Sequence, residues 1–165
     1  MILYFIAAAA MLAADQALKL WVSAHIALGE ALPLWPGVVE LRLVHNYGAA
    51  WSSFSGMRWL LLAVTTVIVI AVAFLLIRGI VRHPLGRWAG TAIIAGGLGN
   101  ILDRLRLGYV VDMFHLQFMN YPVFNIADIF VVLGTIAAAV YYLWFYEKYD
   151  RRGKEHGTAG SADKP

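Results

Sequence analysis

The chain has 165 residues, of which 61% are hydrophobic and only 14% charged, with a formal net charge of +3. An average soluble domain is about 45–50% apolar and about 25% charged, so these proportions exclude an ordinary soluble globule and a disordered chain alike. Cysteine is absent, which removes disulfides, thiolate metal sites and a cysteine nucleophile.

The length suits one domain with several spans of about 20 apolar residues each. Lysine and arginine collect beside apolar runs, a topology signal rather than a phosphate-binding patch, so no nucleic acid is expected as a partner. The first run covers residues 2–24. Its alanines resemble a signal-peptide cleavage region, but it has no basic leader and stays apolar through Leu18, Leu20, Trp21 and Val22, so it reads as a retained span. Asp15 and Lys19 interrupt it. The outer connection that follows contains Val38-Val39-Glu40-Leu41-Arg42-Leu43-Val44, β-branched and partly alternating as a half-buried strand is.

The second span, 59–77, carries no charge and is closed by Arg78 and Arg82. His83-Pro84 reads as a turn. The third span, 88–107, is apolar in its first half and carries Asn100, Asp103, Arg104 and Arg106 in its second. Tyr109 to Met119 reads as a second strand-like stretch. The fourth span, 126–146, has Asp128 near its start and the aromatic belt Tyr141, Tyr142, Trp144, Phe145 and Tyr146 at its end. The expected fold is an all-α membrane protein of four transmembrane helices with a small extracytoplasmic β-rich cradle. Residues 1–150 form a single domain, and 151–165 a disordered cytoplasmic tail.

Basic residues set the orientation. Arg78, Arg82 and Arg87 lie between spans two and three, and Lys148, Arg151, Arg152, Lys154 and Lys164 follow span four. Both termini are therefore expected in the cytoplasm. At about 1.5 Å of rise per residue, Asp15 lies roughly 20 Å up a core about 30 Å thick, and Asn100, Asp103 and Arg104 roughly 18–24 Å up. Asn125 and Asp128 enter from the outer side, and Asp112 lies just beyond the third span. Intramembrane ionisable groups usually face the bundle interior and mark function. Their common level predicts a site at the outer face, among spans one, three and four.

Each residue also has a plainer reading. Asp15 and Lys19, four apart, can form a self-neutralising pair. Gly96, Gly97 and Gly99 suit close helix packing. Asp103 is turned about 100° from Arg104 on the helix and is better placed to satisfy a neighbour. The five histidines have no metal-ligand spacing, so no metal site is expected. The serines lack a persuasive base. What remains is Asp112 and Asp128: two aspartates brought close share a proton, one acting as base toward water while the other polarises a carbonyl. The sequence alone does not bring them together, because the residues between them reach some 50 Å if extended, at about 3.3 Å each.

Five elements carry a resemblance. Asp15-Gln16 with Lys19 is similar to a DQ-x-x-K element, and Asn46-Tyr47-Gly48-Ala49-Ala50-Trp51 to N-x-G-A-A-aromatic. Gly99-Asn100-Ile101-Leu102-Asp103-Arg104 is similar to GN-x-x-DR, Val110-Val111-Asp112 to VVD, and Phe124-Asn125-Ile126-Ala127-Asp128 to FN-x-AD. In this order and spacing the chain resembles lipoprotein signal peptidases (signal peptidase II). Departures are Ala95-Gly96-Gly97 where the family usually has G-G-A, and His45 where arginine is common.

The resemblance implies an aspartic endopeptidase of the bacterial cytoplasmic membrane that cuts diacylglyceryl-modified prolipoproteins before the lipidated cysteine. Asp112 and Asp128 are then the catalytic pair. Asn46, Gly48, Asn100, Arg104, Asn125 and Ala127 line or shape the site, supported by Asp15 and Lys19. No cofactor is implied. The implied partners are the prolipoproteins, membrane lipid and cyclic peptide inhibitors of the globomycin type, and the expected unit is a monomer. The competing class is a small proton-coupled transporter or channel subunit, which calls for polar groups through the full membrane depth.

Overall fold

A computed structural model describes residues 1–49, 51 and 53–151; of the predicted tail, 151–165, all but Arg151 lies outside them. The order of elements is α1 (Ile2–His25), β1 (Ala31–Trp35), β2 (Val39–Asn46), α2 (Arg58–Ile77), α3 (Pro84–Arg106), β3 (Val110–Leu116) and α4 (Ile126–Trp144), closed by a π-helical turn at Glu147–Arg151. Three of the helices, α1, α2 and α4, are long and apolar enough to cross a membrane. The expected fourth, α3, falls short by composition, because it carries Arg87, Asn100, Asp103, Arg104, Arg106 and several glycines.

Helix α3 is the hub. It packs against α1, α2 and α4, whereas α2 makes its substantial helix contacts with α3 alone. Its glycines make this possible. A Cβ on Gly96 would stand 2.3 Å from the Ala127 carbonyl oxygen, and one on Gly97 2.5 Å from Val69 Cγ2. Small residues let helix backbones approach in this way. The outward faces of the other helices remain apolar: Val67, Ile70 and Ile77 of α2 are 66%, 62% and 69% exposed. So much exposed apolar surface is disfavoured in water and suits lipid.

Helix α3 begins four residues before the predicted span. The His83 side chain accepts from the Leu85 N–H, and Pro84 opens the first turn, where its missing N–H costs nothing. Helix α4 starts at a capping box: Asn125 Oδ1 accepts from Asp128 N–H, and Asp128 Oδ2 accepts from Asn125 N–H. Each side chain thereby satisfies an amide that the helix start leaves without a partner.

The strands form one antiparallel sheet in the order β1-β2-β3. Strands β2 and β3 fall where the sequence predicts them, and β1 is additional. The sheet rests on the end of α1 through Val22, Ile26, Leu41, Leu43, Val111 and Met113. A polar group centred on Glu40 accepts from Gln117 Nε2 at 2.7 Å, pairs with Arg42 at 2.9 Å and meets His115 Nδ1 at 2.8 Å. Those contacts hold the Glu40 carboxyl below its usual range, the His115 hydrogen bond contributing most.

Candidate active site

Alternation along β3 positions the first acid. Val111 and Met113 point into the cluster against α1, so Asp112 between them faces the other way. The register of β2 with β3 shifts between Leu41 and Val44, next to the Val44–Asp112 pairing. Such irregularities re-aim side chains beside sites. Asp112 enters a cavity of about 350 Å³ that also receives Asn46, Asn100, Arg104 and Asp128.

Asparagines hold both acids. Asn46 Nδ2 donates to Asp112 Oδ2 at 2.8 Å, and Asn125 Nδ2 to Asp112 Oδ1 at 2.7 Å. Asn100 Nδ2 donates to Asp128 Oδ1 at 2.8 Å, while Asp128 Oδ2 takes the Asn125 N–H at 3.2 Å. Asn125, fully buried, therefore touches both aspartates. Each carboxylate oxygen has a donor, and the acids stay open to the cavity. Burial pushes the Asp112 carboxyl up to about 7, with the nearby Asp128 charge acting in the same direction.

A charged layer lies behind the acids. Lys19 pairs with Asp15 at 3.0 Å and Asp103 at 2.9 Å, so the self-contained Asp15–Lys19 pair is only part of what forms. Asp15 Oδ1 also accepts the Ala127 N–H at 3.0 Å, fixing the first turn of α4. Gly99 makes room for this, since a Cβ there would meet Asp15 Oδ2 at 2.6 Å. Asp103 accepts the Val111 N–H at 3.1 Å, which seats β3 on α3. Arg104 Nη2 donates to the Gly48 carbonyl at 2.9 Å, and Gly48 N–H in turn bonds Asn46 Oδ1 at 2.9 Å.

The expected residues thus converge, with Asp112, Asp128, Asn46, Asn100 and Arg104 on the cavity wall and Asp15, Lys19, Asn125 and Ala127 behind it. Two features escape the sequence reading. Gln16 donates to Asp103 Oδ1 at 3.0 Å and to Asp15 Oδ2 at 3.2 Å, completing the charged layer. Helix α2, set aside for want of polar residues, supplies Leu61, Thr65, Ile68 and Val69 to the cavity wall. The cavity is bounded by α2, α3 and α4, and α1 stands behind it rather than lining it.

Comparison with known proteins identifies the family. The signal peptidase (SPase) II family profile matches residues 7–145. A lipoprotein signal peptidase of Lactococcus lactis subsp. cremoris is 48% identical over 124 residues, 74% of this chain and 81% of that protein. One from Streptococcus pyogenes serotype M2 is 43% identical over 143 residues, 84% and 91% of the two chains. Two bacterial membrane enzymes solved by the in meso method share the fold. The first has a TM-score of 0.83 at 27% identity, covering 87% of this chain and 88% of its own; the second has 0.80 at 26%, covering 88% and 95%. With that identity over most of its length and an apolar helical frame around its cavity, the chain belongs to the signal peptidase II family and is a bacterial membrane peptidase.

Proposed function

We propose that this enzyme removes signal peptides from diacylglyceryl-modified prolipoproteins, cutting before the lipidated cysteine, with Asp112 and Asp128 as an aspartic dyad. The observation that carries this reading is Asn125, which bonds both carboxyl groups where they meet an apolar cavity. Two such acids hold one proton between them. The ionised one draws a proton from water as that water attacks the scissile carbonyl, and the protonated one donates to the carbonyl oxygen. Arg104 stands on the cavity wall to bind a peptide carbonyl or a lipid ester through its planar fork. Leu61, Ile68, Val69, Val131 and Val132 give the acyl chains an apolar bed between α2 and α4.

The same reading makes α3 the fourth crossing, since its 23 residues span about 34 Å at about 1.5 Å each and its polar face is turned onto the other helices. The domain is 1–150, a monomer in the cytoplasmic membrane with both termini inside. A signal peptide inserted with its basic end inside then brings its cut site to the acids at the outer face. Cyclic peptides of the globomycin type would compete for the cavity.

The test is cleavage of a diacylglyceryl-bearing prolipoprotein peptide by purified protein. Asp112→Asn and Asp128→Asn each keep size and hydrogen bonding but cannot share the titrating proton. Each should lower kcat by about 1000-fold or more at normal abundance, and the double variant should be scarcely worse, because residues acting as one unit are strongly non-additive. Substantial turnover by either single variant would contradict the dyad.

A further inference from the structure

Lys19 lies deep behind the acids, 3% exposed. An ammonium has three N–H donors, and here they have three acceptors: Asp15 Oδ2 at 3.0 Å, Asp103 Oδ2 at 2.9 Å and Asn100 Oδ1 at 3.2 Å. The third contact reaches the chemistry. The Asn100 amide turns its Nδ2 to Asp128 Oδ1 at 2.8 Å, so a full positive charge sits on the oxygen of the amide whose N–H holds an acid. Drawing electron density toward that oxygen strengthens the N–H as a donor.

Asp112 is backed less directly: the Lys19 charge reaches it only through space, and no cation bonds the side-chain oxygen of either amide that holds it. Its donors are Asn46 and Asn125, and their side-chain oxygens accept from the neutral backbone N–H groups of Gly48 and Asp128. The backbone differs as well. Asp128 lies in the first turn of α4, where aligned peptide dipoles favour negative charge, whereas Asp112 is on a strand. The other charges facing the dyad are Asp15 from α1 and Arg104 from α3, while Asp103 acts on Arg104 and pairs with Lys19. Of the two cations, Lys19 bonds an amide held on an acid, and Arg104 bonds the Gly48 carbonyl.

Building on Asp112 and Asp128 as the dyad, we propose that Lys19 is a positioning residue acting through Asn100: it places the resting negative charge on Asp128 and leaves the shared proton on Asp112. Roles and proton balance follow. Asp128 takes a proton from water as the oxygen bonds to the carbonyl carbon, and Asp112 gives its proton to the carbonyl oxygen, forming a gem-diol. As the C–N bond breaks, Asp128 returns its proton to the leaving nitrogen and Asp112 recovers one from a diol hydroxyl, which restores the starting state. Burial and the Asp128 charge, which raise the Asp112 carboxyl to about 7, point the same way.

The pH dependence of kcat/KM on the lipidated peptide tests this. Lys19→Met keeps most of the stem and removes the charge. It should move the acidic limb, which reports ionisation of the base, upward by about one pH unit and lower kcat at the wild-type optimum. KM should be unchanged, because Lys19 does not line the cavity. If the uncompensated Asp15 and Asp103 prevent insertion, Lys19→Met with Asp103→Asn removes one of those acids and carries the same expectation. An acidic limb at its wild-type pH in whichever variant folds, with only the melting temperature lowered, would reduce Lys19 to a structural ion pair. That outcome leaves the dyad standing as long as Asp112→Asn and Asp128→Asn are inactive; turnover by either would remove the dyad itself.

Discussion

Arg104 commits one guanidinium N–H to the Gly48 carbonyl and lines the cavity with the same planar group. Lysine keeps the charge but cannot hold the loop and a substrate carbonyl with one rigid fork. Arg104→Lys should therefore insert normally and lose about 10- to 100-fold in kcat/KM, the equivalent of one charge-assisted hydrogen bond; wild-type processing at equal abundance would count against a substrate role. On the proposed dyad, Asp112 sets the alkaline boundary. With its carboxyl raised to about 7 by burial and the Asp128 charge, the one-proton state of the dyad is lost as pH rises through that value, and kcat/KM should fall with it. Stability moves the same way: the unfolded chain gives up this proton near the ordinary aspartate value, so the folded form loses a relative advantage as pH rises from there to about 7. A kcat/KM profile flat to pH 9 would show that the proton on Asp112 is not used.

Among the helices, the decisive contacts are those where nothing can give way. At Gly96 an added Cβ meets a backbone oxygen, whereas at Gly90 it meets Leu76 Cδ1 at 3.0 Å, the end of a flexible side chain. Gly96→Ala should cost about 1–3 kcal/mol by overpacking and reduce turnover, since the displaced Ala127 turn carries Asp128. Gly90→Ala should be much milder in thermal unfolding and in kcat, and equal effects would mean that α4 slides freely on α3. The patterns of α2, α4, β2 and β3 are legible in the sequence because apolar runs and alternation report directly on a lipid-facing helix or a half-buried strand. Strand β1 is not. Ala31–Trp35 is an edge strand exposed throughout, with Pro33 in its middle, and so lacks the one-sided burial that creates alternation. The start of α3 is obscured by Pro84, which looks like a breaker and serves as a first helical residue. The cavity face of α2 is hidden because apolar side chains against lipid and apolar side chains against a substrate groove are chemically alike. The acids and asparagines stand out, since polar groups in such a chain need a reason, but Gln16, apart from its neighbour Asp15, finds its partners, Gly99 and Asp103, 83 and 87 residues away, beyond any local pattern.

At the scale of the whole molecule, polar groups and charge are unevenly placed along the bundle. The charged layer and the sheet share one end, while the other is closed by Asp150, which accepts the Arg82 N–H and the Tyr141 hydroxyl, and by the stacking of His83 on Phe145. The proposed orientation is checked by single cysteines in the naturally cysteine-free chain. Glu30→Cys, exposed beside β1, should react with a membrane-impermeant thiol reagent in intact cells, and Arg82→Cys should react only after lysis; the reverse pattern would invert the protein. Between the two ends, Thr91 and Thr135 turn their hydroxyls back onto the Arg87 and Val131 carbonyls of their own helices, so neither hydroxyl proton points along the bundle. An energised membrane stores a proton gradient across its thickness, and any protein holding exchangeable protons within it is a potential short circuit. In the proposed orientation, the half of the bundle away from Asp112 and Asp128 would serve as insulation, letting hydrolysis take place inside a charged capacitor without discharging it.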